Sequence, residues 1–141
     1  MAKNETPKKF YDMTDPNFRN FMYSVVLVLE PDYCNKRTIM LNELDEVHSI
    51  TFVHKGDVGV GYELNKFNKI VLRFCSKCVI GACYATYNLR SNFLYYAITN
   101  IESYFIRRNV WVGILEENYL VTDDMKRRIL EDYFYKMKFR L

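Results

Sequence analysis

The sequence predicts a mainly β domain with helices at both ends. Hydrophobic residues recur at helical spacing before residue 31 and after residue 122, whereas between residues 37 and 74 they recur with the two-residue period of strands. The chain has 141 residues and is 50% hydrophobic, which suffices for one core and is too little for two ordinary domains. We expect one β-roll (jelly-roll-like) of about eight strands over residues 15–141, with an N-terminal helix and two C-terminal helices.

The first helix is predicted from its cap and its apolar stripe. Residues 1–14 are polar and are expected to form a flexible N-terminal segment. Asp15 is a favourable N-cap, and Pro16 occupies the first helical position. The apolar stripe that follows consists of Phe18, Met22, Val25, Val26 and Leu29. Because proline does not continue a helix, we expect this helix to end before Pro31.

The strands are predicted from short alternating runs between turn residues. The first four runs are RTIMLNE, HSITFVHKG, DVGVGYELN and KIVLRF, and two more, LYYAITN and ESYFIRR, follow a polar arc. Gly56 supplies the positive φ that a tight hairpin needs, and Asn65 and Asn68 favour a second hairpin. Successive hairpins indicate a meander or a roll.

The C-terminal segments predict two helices, NVWVGILEENY and TDDMKRRILEDYFYKMKFRL. Thr122, Asp123 or Asp124 would cap the second of them. Its apolar stripe consists of Met125, Ile129, Leu130, Tyr133, Phe134 and Met137.

Composition argues against several functions. The net charge of +3 comes from scattered lysines and arginines without a basic block, so no nucleic-acid partner is expected. The longest apolar run, residues 25–29, is far shorter than the roughly 20 residues that span a bilayer. The N-terminus lacks the apolar core of a signal peptide, and the four cysteines suit a reducing, cytosolic setting. No hydrolase, P-loop or dinucleotide-binding motif is present, and we expect no enzymatic activity.

Cysteines and histidines form only one motif with metal or redox spacing. Cys75 and Cys78 make a C-x-x-C pair, and Cys83 follows. Because there is no second pair and no nearby histidine, half-buried thiols are favoured over a metal or dithiol site. The two histidines, His48 and His54, are too few for a metal oxygenase, and no metal is expected.

The order of these elements resembles the cyclic-nucleotide-binding domain family. The stretch LEPDYCNKRTIMLNELDEVHSITFVHKGDVGVGYELN, residues 29–65, carries the resemblance. The positions in this stretch that match the family pattern are Ile50, Phe52, Val53, Gly56, Val58 and Val60. Among its members, the C-terminal domains of voltage-gated cation channels look most similar, including hyperpolarisation-activated, cyclic-nucleotide-gated and ether-à-go-go-type channels.

The resemblance implies a ligand pocket in the arc VIGACYATYNLRSNFLYYAIT, residues 79–99. Binding members carry F-G-E, a short helix and R-[ST]-A, in which amides and an arginine hold the cyclic phosphate. Here IGA replaces F-G-E, so Gly81 is kept and Ala82 replaces the carboxylate. Two registers remain open for the arginine position.

If the arc is aligned on Ala97 and Ile98, Leu94 occupies the arginine position and Tyr95 follows it. If it is aligned on Gly81 instead, Arg90 and Ser91 lie near the expected offset. The resemblance also implies that the last helix covers the pocket as a lid. Its candidate lid residues are Ile129, Tyr133 and Phe134.

The resemblance implies a regulatory gating module on the cytoplasmic side of a membrane, within a larger channel. Its partners would be the channel pore and neighbouring subunits. Because Ala82 accepts no hydrogen bond, we expect an arc that does not bind cyclic AMP or cyclic GMP tightly. The alternatives are a functional sensor of a small anionic ligand, using Arg90 and Ser91, and a free-standing redox or metal module built on Cys75 and Cys78.

Overall fold

The computed structural model describes residues 13–137 and contains two four-stranded antiparallel sheets. The strands are β1 (Glu30–Cys34), β2 (Ile39–Leu41), β3 (Ser49–Lys55), β4 (Asp57–Leu64), β5 (Phe67–Cys75), β6 (Val79–Ile80), β7 (Leu94–Ala97) and β8 (Ile101–Arg107). The helices are α1 (Pro16–Val26), α2 (Ala82–Tyr87), α3 (Arg108–Glu117) and α4 (Tyr119–Met137). The strand orders are β1-β8-β3-β6 and β2-β7-β4-β5.

This architecture confirms the predicted fold class. Eight strands form a β-roll between an N-terminal helix and two C-terminal helices, and α2 lies within the arc between β6 and β7. The strand interiors form the core: Val58, Val60, Ala97 and Ile101 are fully buried. Phe21 of α1 packs edge-on against Trp111 of α3 at a ring separation of 5.7 Å, which holds the terminal helices together. The predicted flexible segment lies outside the described residues except for its last two.

The first helix begins as predicted and ends early. The Asp15 carboxylate accepts a hydrogen bond of 2.9 Å from the Asn17 N–H, which is the expected cap. The helix ends at Val26, so Leu29 lies outside it, and Pro31 belongs to strand β1, which the alternating runs did not predict. Among the strands of residues 13–137, β1 pairs only with β8, and an edge strand tolerates the missing proline N–H.

The predicted hairpin at Gly56 is wrong, although its positive φ is correct. Gly56 has a φ of 119°, but β3 pairs with β6 and β8 whereas β4 pairs with β5 and β7. Gly56 therefore turns the chain from one sheet to the other. A Cβ atom there would come within 2.5 Å of the Asn100 carbonyl oxygen, so the corner requires glycine.

The second hairpin is present, with a shorter turn than predicted. β4 and β5 pair with each other, and a two-residue loop of Asn65 and Lys66, with φ angles of 52° and 69°, connects them. Two successive positive φ angles are typical of the type I′ turn that suits a two-residue hairpin. Asn68 is part of β5 and contributes nothing to the turn.

The last helix begins earlier than its predicted cap. It starts at Tyr119, so Thr122, Asp123 and Asp124 lie inside it. The Thr122 hydroxyl donates to the carbonyl oxygens of Leu115 and Asn118, which ties α4 back to the end of α3. A side chain that bonds to preceding carbonyls does not cap following amides, which explains why the cap prediction failed.

Candidate functional site: the arc and the cleft beneath the last helix

The arc begins with a tight turn against β3. Gly81 adopts a left-handed conformation with a φ of 87° and is the N-cap of α2. A Cβ atom at this position would lie 3.0 Å from the Ser49 carbonyl oxygen. The helix ends at Tyr87, and its C-cap Asn88 is also left-handed, with a φ of 54°. Glycine and asparagine tolerate this region best, so the sequence fixes both ends of α2.

The closing helices hold α2 by polar contacts. The Trp111 indole Nε1 donates to the Thr86 hydroxyl at 3.0 Å, and the Arg108 Nε donates to the Ala85 carbonyl oxygen at 3.0 Å. The Tyr87 hydroxyl donates to the Lys126 carbonyl oxygen of α4 at 2.7 Å. Because α3 and α4 both contact α2, a displacement of the arc would strain both helices.

A cleft of about 640 Å³ lies between the arc, α1 and α4. Its walls are mainly apolar and aromatic, and the charged side chains among its described lining residues belong to α4. The lining residues include Met22, Phe52, Phe74, Cys78, Gly81, Ala82, Cys83, Tyr84, Tyr95, Trp111, Arg128, Ile129, Glu131, Asp132, Tyr133 and Lys136. This volume is in the range of small-molecule sites in proteins.

Three tyrosine hydroxyls meet in the cleft, and we call Tyr84, Tyr95 and Tyr133 the tyrosine trio. The Tyr84 hydroxyl lies 3.0 Å from that of Tyr95 and 3.1 Å from that of Tyr133. The Tyr84 ring packs edge-on against both other rings, at 6.3 Å and 5.3 Å. The Asn92 amide donates to the Tyr133 hydroxyl at 3.1 Å. The trio therefore joins α2, β7 and α4.

Burial controls the charge state of this cluster. It raises the pKa of Tyr84 and of Tyr95 well above the usual value near 10, because the ionised phenol would lose its hydration. Tyr84 and Tyr95 are only 1% and 3% exposed. These two hydroxyls therefore stay neutral at physiological pH and act as hydrogen-bonding groups without charge.

The structure divides the predicted pocket residues into two groups. Gly81, Ala82 and Tyr95 line the cleft. Arg90 lies outside it, where its guanidinium donates to the Leu44 carbonyl oxygen at 3.0 Å and to the Glu46 carboxylate at 3.1 Å. Its side chain is 60% exposed. The arginine therefore has partners on the surface and does not reach into the cleft.

The remaining pocket candidates are packed into the roll. Ser91 is fully buried, and its hydroxyl donates to the Phe93 carbonyl oxygen at 2.6 Å. Leu94 is 1% exposed, and Ile98 lies close to Gly59, where an added Cβ atom would meet its Cδ1 at 3.2 Å. None of the three is part of the described cleft wall.

Of the three lid candidates, two line the cleft and one does not. Ile129 and Tyr133 line the cleft from α4. Phe134 is 54% exposed, and its ring contacts that of Tyr133 at 5.8 Å. Phe134 therefore packs on the outer side of a lid residue and lies outside the cleft.

Sequence reasoning missed Tyr84, which is central to the cluster. Tyr84 follows Gly81 by three positions, so one turn of helix brings it back toward the roll. The helical spacing of Tyr84 and Tyr87 after a left-handed glycine was the available signal. Trp111 and Asn92 were missed as well, because their partners are distant in the chain and local patterns do not indicate them.

The cysteines do not assemble into a metal centre within the described residues. Cys75 is exposed at the end of β5, whereas Cys78 and Cys83 are buried and line the cleft. Burial raises the pKa of Cys83 to about 11, and it raises the pKa of Cys78 although Lys136 acts in the opposite direction. Over residues 13–137, no group of three His, Cys, Asp or Glu side chains is placed to hold a metal ion.

Between residues 13 and 137, none of the helices combines the length and the apolar character needed to cross a bilayer.

No protein-family model and no curated protein matches this chain. Solved structures do match it. The C-linker/CNBHD of zELK channels, crystallised in the presence of cAMP, has a TM-score of 0.70 and 19% identity over 91% of this chain and 65% of that chain. The Catabolite Activator Protein of Thermus thermophilus has a TM-score of 0.70 and 10% identity over 93% of this chain and 60% of that one.

The regulatory domain of Toxoplasma gondii PKA, crystallised with cAMP, has a TM-score of 0.65 and 18% identity, over 83% of this chain and 43% of that one. The chain thus spans less than two thirds of each of these structures. The chain therefore has the fold of cyclic-nucleotide-binding domains.

Proposed function

We propose that this chain is a regulatory module of a cation channel, on the cytoplasmic side of the membrane, and that its arc does not bind cyclic nucleotides tightly. The zELK channel domain supports the channel context, and the PKA and Catabolite Activator Protein similarities support a regulatory role more broadly. On this proposal the pore and neighbouring subunits are the partners. The module has neither catalytic activity nor a nucleic-acid partner.

The observation that carries the proposal is that the arc supplies no anion clamp: the one basic side chain of residues 79–99, Arg90, does not line the cleft. A cyclic phosphate needs a guanidinium and free amides, and a ribose hydroxyl needs an acceptor. Arg90 bonds to Leu44 and Glu46 on the surface, and Ala82 offers only a methyl group. Each missing group costs about 1 to 3 kcal/mol of affinity.

The tyrosine trio supports the same proposal from the side of the lid. In binding domains of this fold a lid closing over ligand would report its presence, whereas here Tyr133 already contacts Tyr84 directly. The helix is therefore held on the arc by side chains of the chain. A module of this kind transmits the position of α4 mechanically and responds to force or to a partner.

Calorimetric titration of the whole chain with cyclic AMP and with cyclic GMP tests the proposal. We expect no binding tighter than high micromolar, since each 1.4 kcal/mol is roughly tenfold in affinity. Clean one-to-one binding in the low micromolar range would refute it. The Arg90→Ala variant is the matched control for any binding that is seen.

One observation favours the alternative of a sensor that uses Arg90 and Ser91. The ion pair of Arg90 with Glu46 is exposed on both sides, at 60% and 61%. Such surface pairs contribute only about 0 to 1 kcal/mol, so a phosphate would release the arginine at small cost. If cyclic nucleotide binds and Arg90→Ala abolishes the binding, this alternative is correct.

A further inference from the structure

The tyrosine trio has one more hydrogen-bond donor than it uses internally. Three hydroxyls carry three hydrogens, and the two contacts within the trio, Tyr84 to Tyr95 and Tyr84 to Tyr133, consume two of them. The contact with Asn92 consumes none, because its amide nitrogen is the donor there. One hydroxyl hydrogen therefore has no acceptor among the described contacts of the trio.

The hydroxyl that carries this surplus hydrogen belongs to a cluster in a mainly apolar part of the cleft, and two of the three members of the cluster are buried. Tyr84 and Tyr95 are at least nine-tenths buried, and the trio lines the cleft together with Phe52, Phe74 and Ile129. A buried donor without an acceptor costs about 1 to 3 kcal/mol. A ligand that brings an acceptor to this point would recover that free energy.

The charges of the cleft select a neutral ligand. Among the described residues that line the cleft, the four charged side chains come from α4 and their formal charges sum to zero: Arg128 and Lys136 against Glu131 and Asp132. Lys136 pairs with Asp132 at 3.0 Å. An anion or a cation entering the apolar interior would be desolvated without compensation, whereas a neutral molecule would not.

We propose that the cleft binds a neutral, mainly aromatic small molecule that places a single carbonyl oxygen against the tyrosine trio. The aromatic walls and the volume of about 640 Å³ accommodate a molecule of two or more rings. This inference rests on the proposed function, because a cleft used by a cyclic nucleotide would not be free for such a ligand. The ligand would bridge the arc and α4, and its binding would fix the position of that helix.

Three probes of similar size test the ligand class on the whole chain by amide NMR titration. Benzophenone presents the carbonyl, 1,1-diphenylethene has the same shape with a methylene in place of the oxygen, and 4-benzoylbenzoate adds a negative charge. We expect benzophenone to shift amides of Gly81, Tyr84 and Tyr133 and to bind about tenfold more tightly than 1,1-diphenylethene. We expect 4-benzoylbenzoate to bind more weakly than benzophenone.

Equal affinity for benzophenone and 1,1-diphenylethene, or shifts confined to surfaces away from the cleft, would overturn the proposal. The triple variant Tyr84→Phe, Tyr95→Phe, Tyr133→Phe keeps the apolar walls and is expected to lose only the preference for the carbonyl. Tyr104→Phe is the matched control, because Tyr104 is 45% exposed on β8 and does not line the cleft. The Tyr104→Phe variant should keep the wild-type preference for benzophenone over 1,1-diphenylethene.

The comparison of benzophenone with 1,1-diphenylethene on the wild-type chain tests the proposed ligand class even if the triple variant does not fold. The outcome is also separable from that of the proposed function. Tight cyclic-nucleotide binding would refute the proposed function by itself, whereas loss of the carbonyl preference without such binding would refute only the ligand class.

Discussion

At the scale of single residues, the two tyrosines of the Tyr84–Tyr133 contact are expected to differ in their contributions to stability. Tyr133→Phe removes one hydroxyl contact with Tyr84 and the bond from Asn92, and Tyr133 is only half-buried. Tyr84→Phe removes the hydroxyl that joins the other two and leaves the buried Tyr95 hydroxyl without its partner. We expect losses of about 1 kcal/mol and about 2 to 3 kcal/mol in the free energy of unfolding.

Urea unfolding of each variant measures both losses. The control is Tyr104→Phe, which removes an exposed hydroxyl and should change the free energy of unfolding by less than about 0.5 kcal/mol. Equal losses for Tyr84→Phe and Tyr133→Phe would show that the trio is not organised around Tyr84.

The same residues predict how stability depends on alkaline pH. Burial raises the pKa of Tyr84, of Tyr95 and of Cys83, the last to about 11. Since the unfolded groups ionise at lower pH than the folded ones, their contribution is complete below about pH 7.5, under the usual pKa of a cysteine thiol, and is lost as pH rises. We expect the free energy of unfolding to fall steeply above about pH 10.

Urea unfolding between about pH 8 and about pH 11 checks this dependence. The Tyr84→Phe, Tyr95→Phe double variant should show a shallower fall, because it lacks two of the buried groups whose pKa is raised. A fall of equal steepness in the double variant would assign the effect to other groups.

Sequence reasoning reached some of these residues and missed others for a physical reason. Gly81 and Asp15 were identified because a left-handed turn and a helix cap are local requirements. Tyr84, Asn92 and Trp111 act through partners 25 to 49 positions away. Neither register of the arc revealed that Arg90 pairs with Glu46, since that contact depends on where the loop before β3 lies.

At the scale of elements, two glycines predict opposite effects of the same substitution. A Cβ atom at Gly61 of β4 would lie 1.7 Å from the Lys69 carbonyl oxygen of β5, whereas nothing lies within 4 Å of one at Gly113 in α3. We expect Gly61→Ala to disrupt the β4–β5 ladder and to lower the melting temperature strongly. Gly113→Ala should raise stability by about 0.5 to 1 kcal/mol, because alanine favours the helix.

Thermal unfolding of the two variants measures both effects, and each serves as the control for the other. A Gly61→Ala variant that melts with the wild type would mean that β5 does not approach β4 this closely. If Gly113→Ala lowers stability instead, the space around Gly113 is not open, and some group outside the described residues contacts this part of α3.

Most elements were predictable, and the errors share a cause. The strands β3, β4 and β8 and the start of α1 follow local patterns, and these were correct. Errors arose where tertiary pairing decides: β1 contains Pro31 and exists because β8 pairs with it, and Gly56 joins strands of different sheets. The start of α4 depends on the contact of Thr122 with α3.

At the scale of the whole molecule, the arc and the closing helices behave as one unit. Trp111 and Arg108 hold α2 from α3, and Tyr133 and the Lys126 carbonyl oxygen hold it from α4. The central claim is that side chains of α4, and not a cyclic nucleotide, stabilise the arc. Removing α4 should therefore weaken the roll in a way that a nucleotide cannot repair.

The most direct measurement is the melting temperature of the whole chain and of a chain ending at Asn118, each with and without millimolar cyclic AMP. Because Val121, Met125 and Tyr133 pack against the rest of the molecule, we expect the shortened chain to melt several degrees lower. Cyclic AMP should not restore the melting temperature of the shortened chain. At millimolar concentration, a ligand with a high-micromolar or weaker Kd adds less than about 1 kcal/mol of stability, whereas a ligand at about 1,000 times its Kd would add about 4 kcal/mol. Melting of the shortened chain at the wild-type temperature, or its recovery on adding cyclic AMP, would contradict this account.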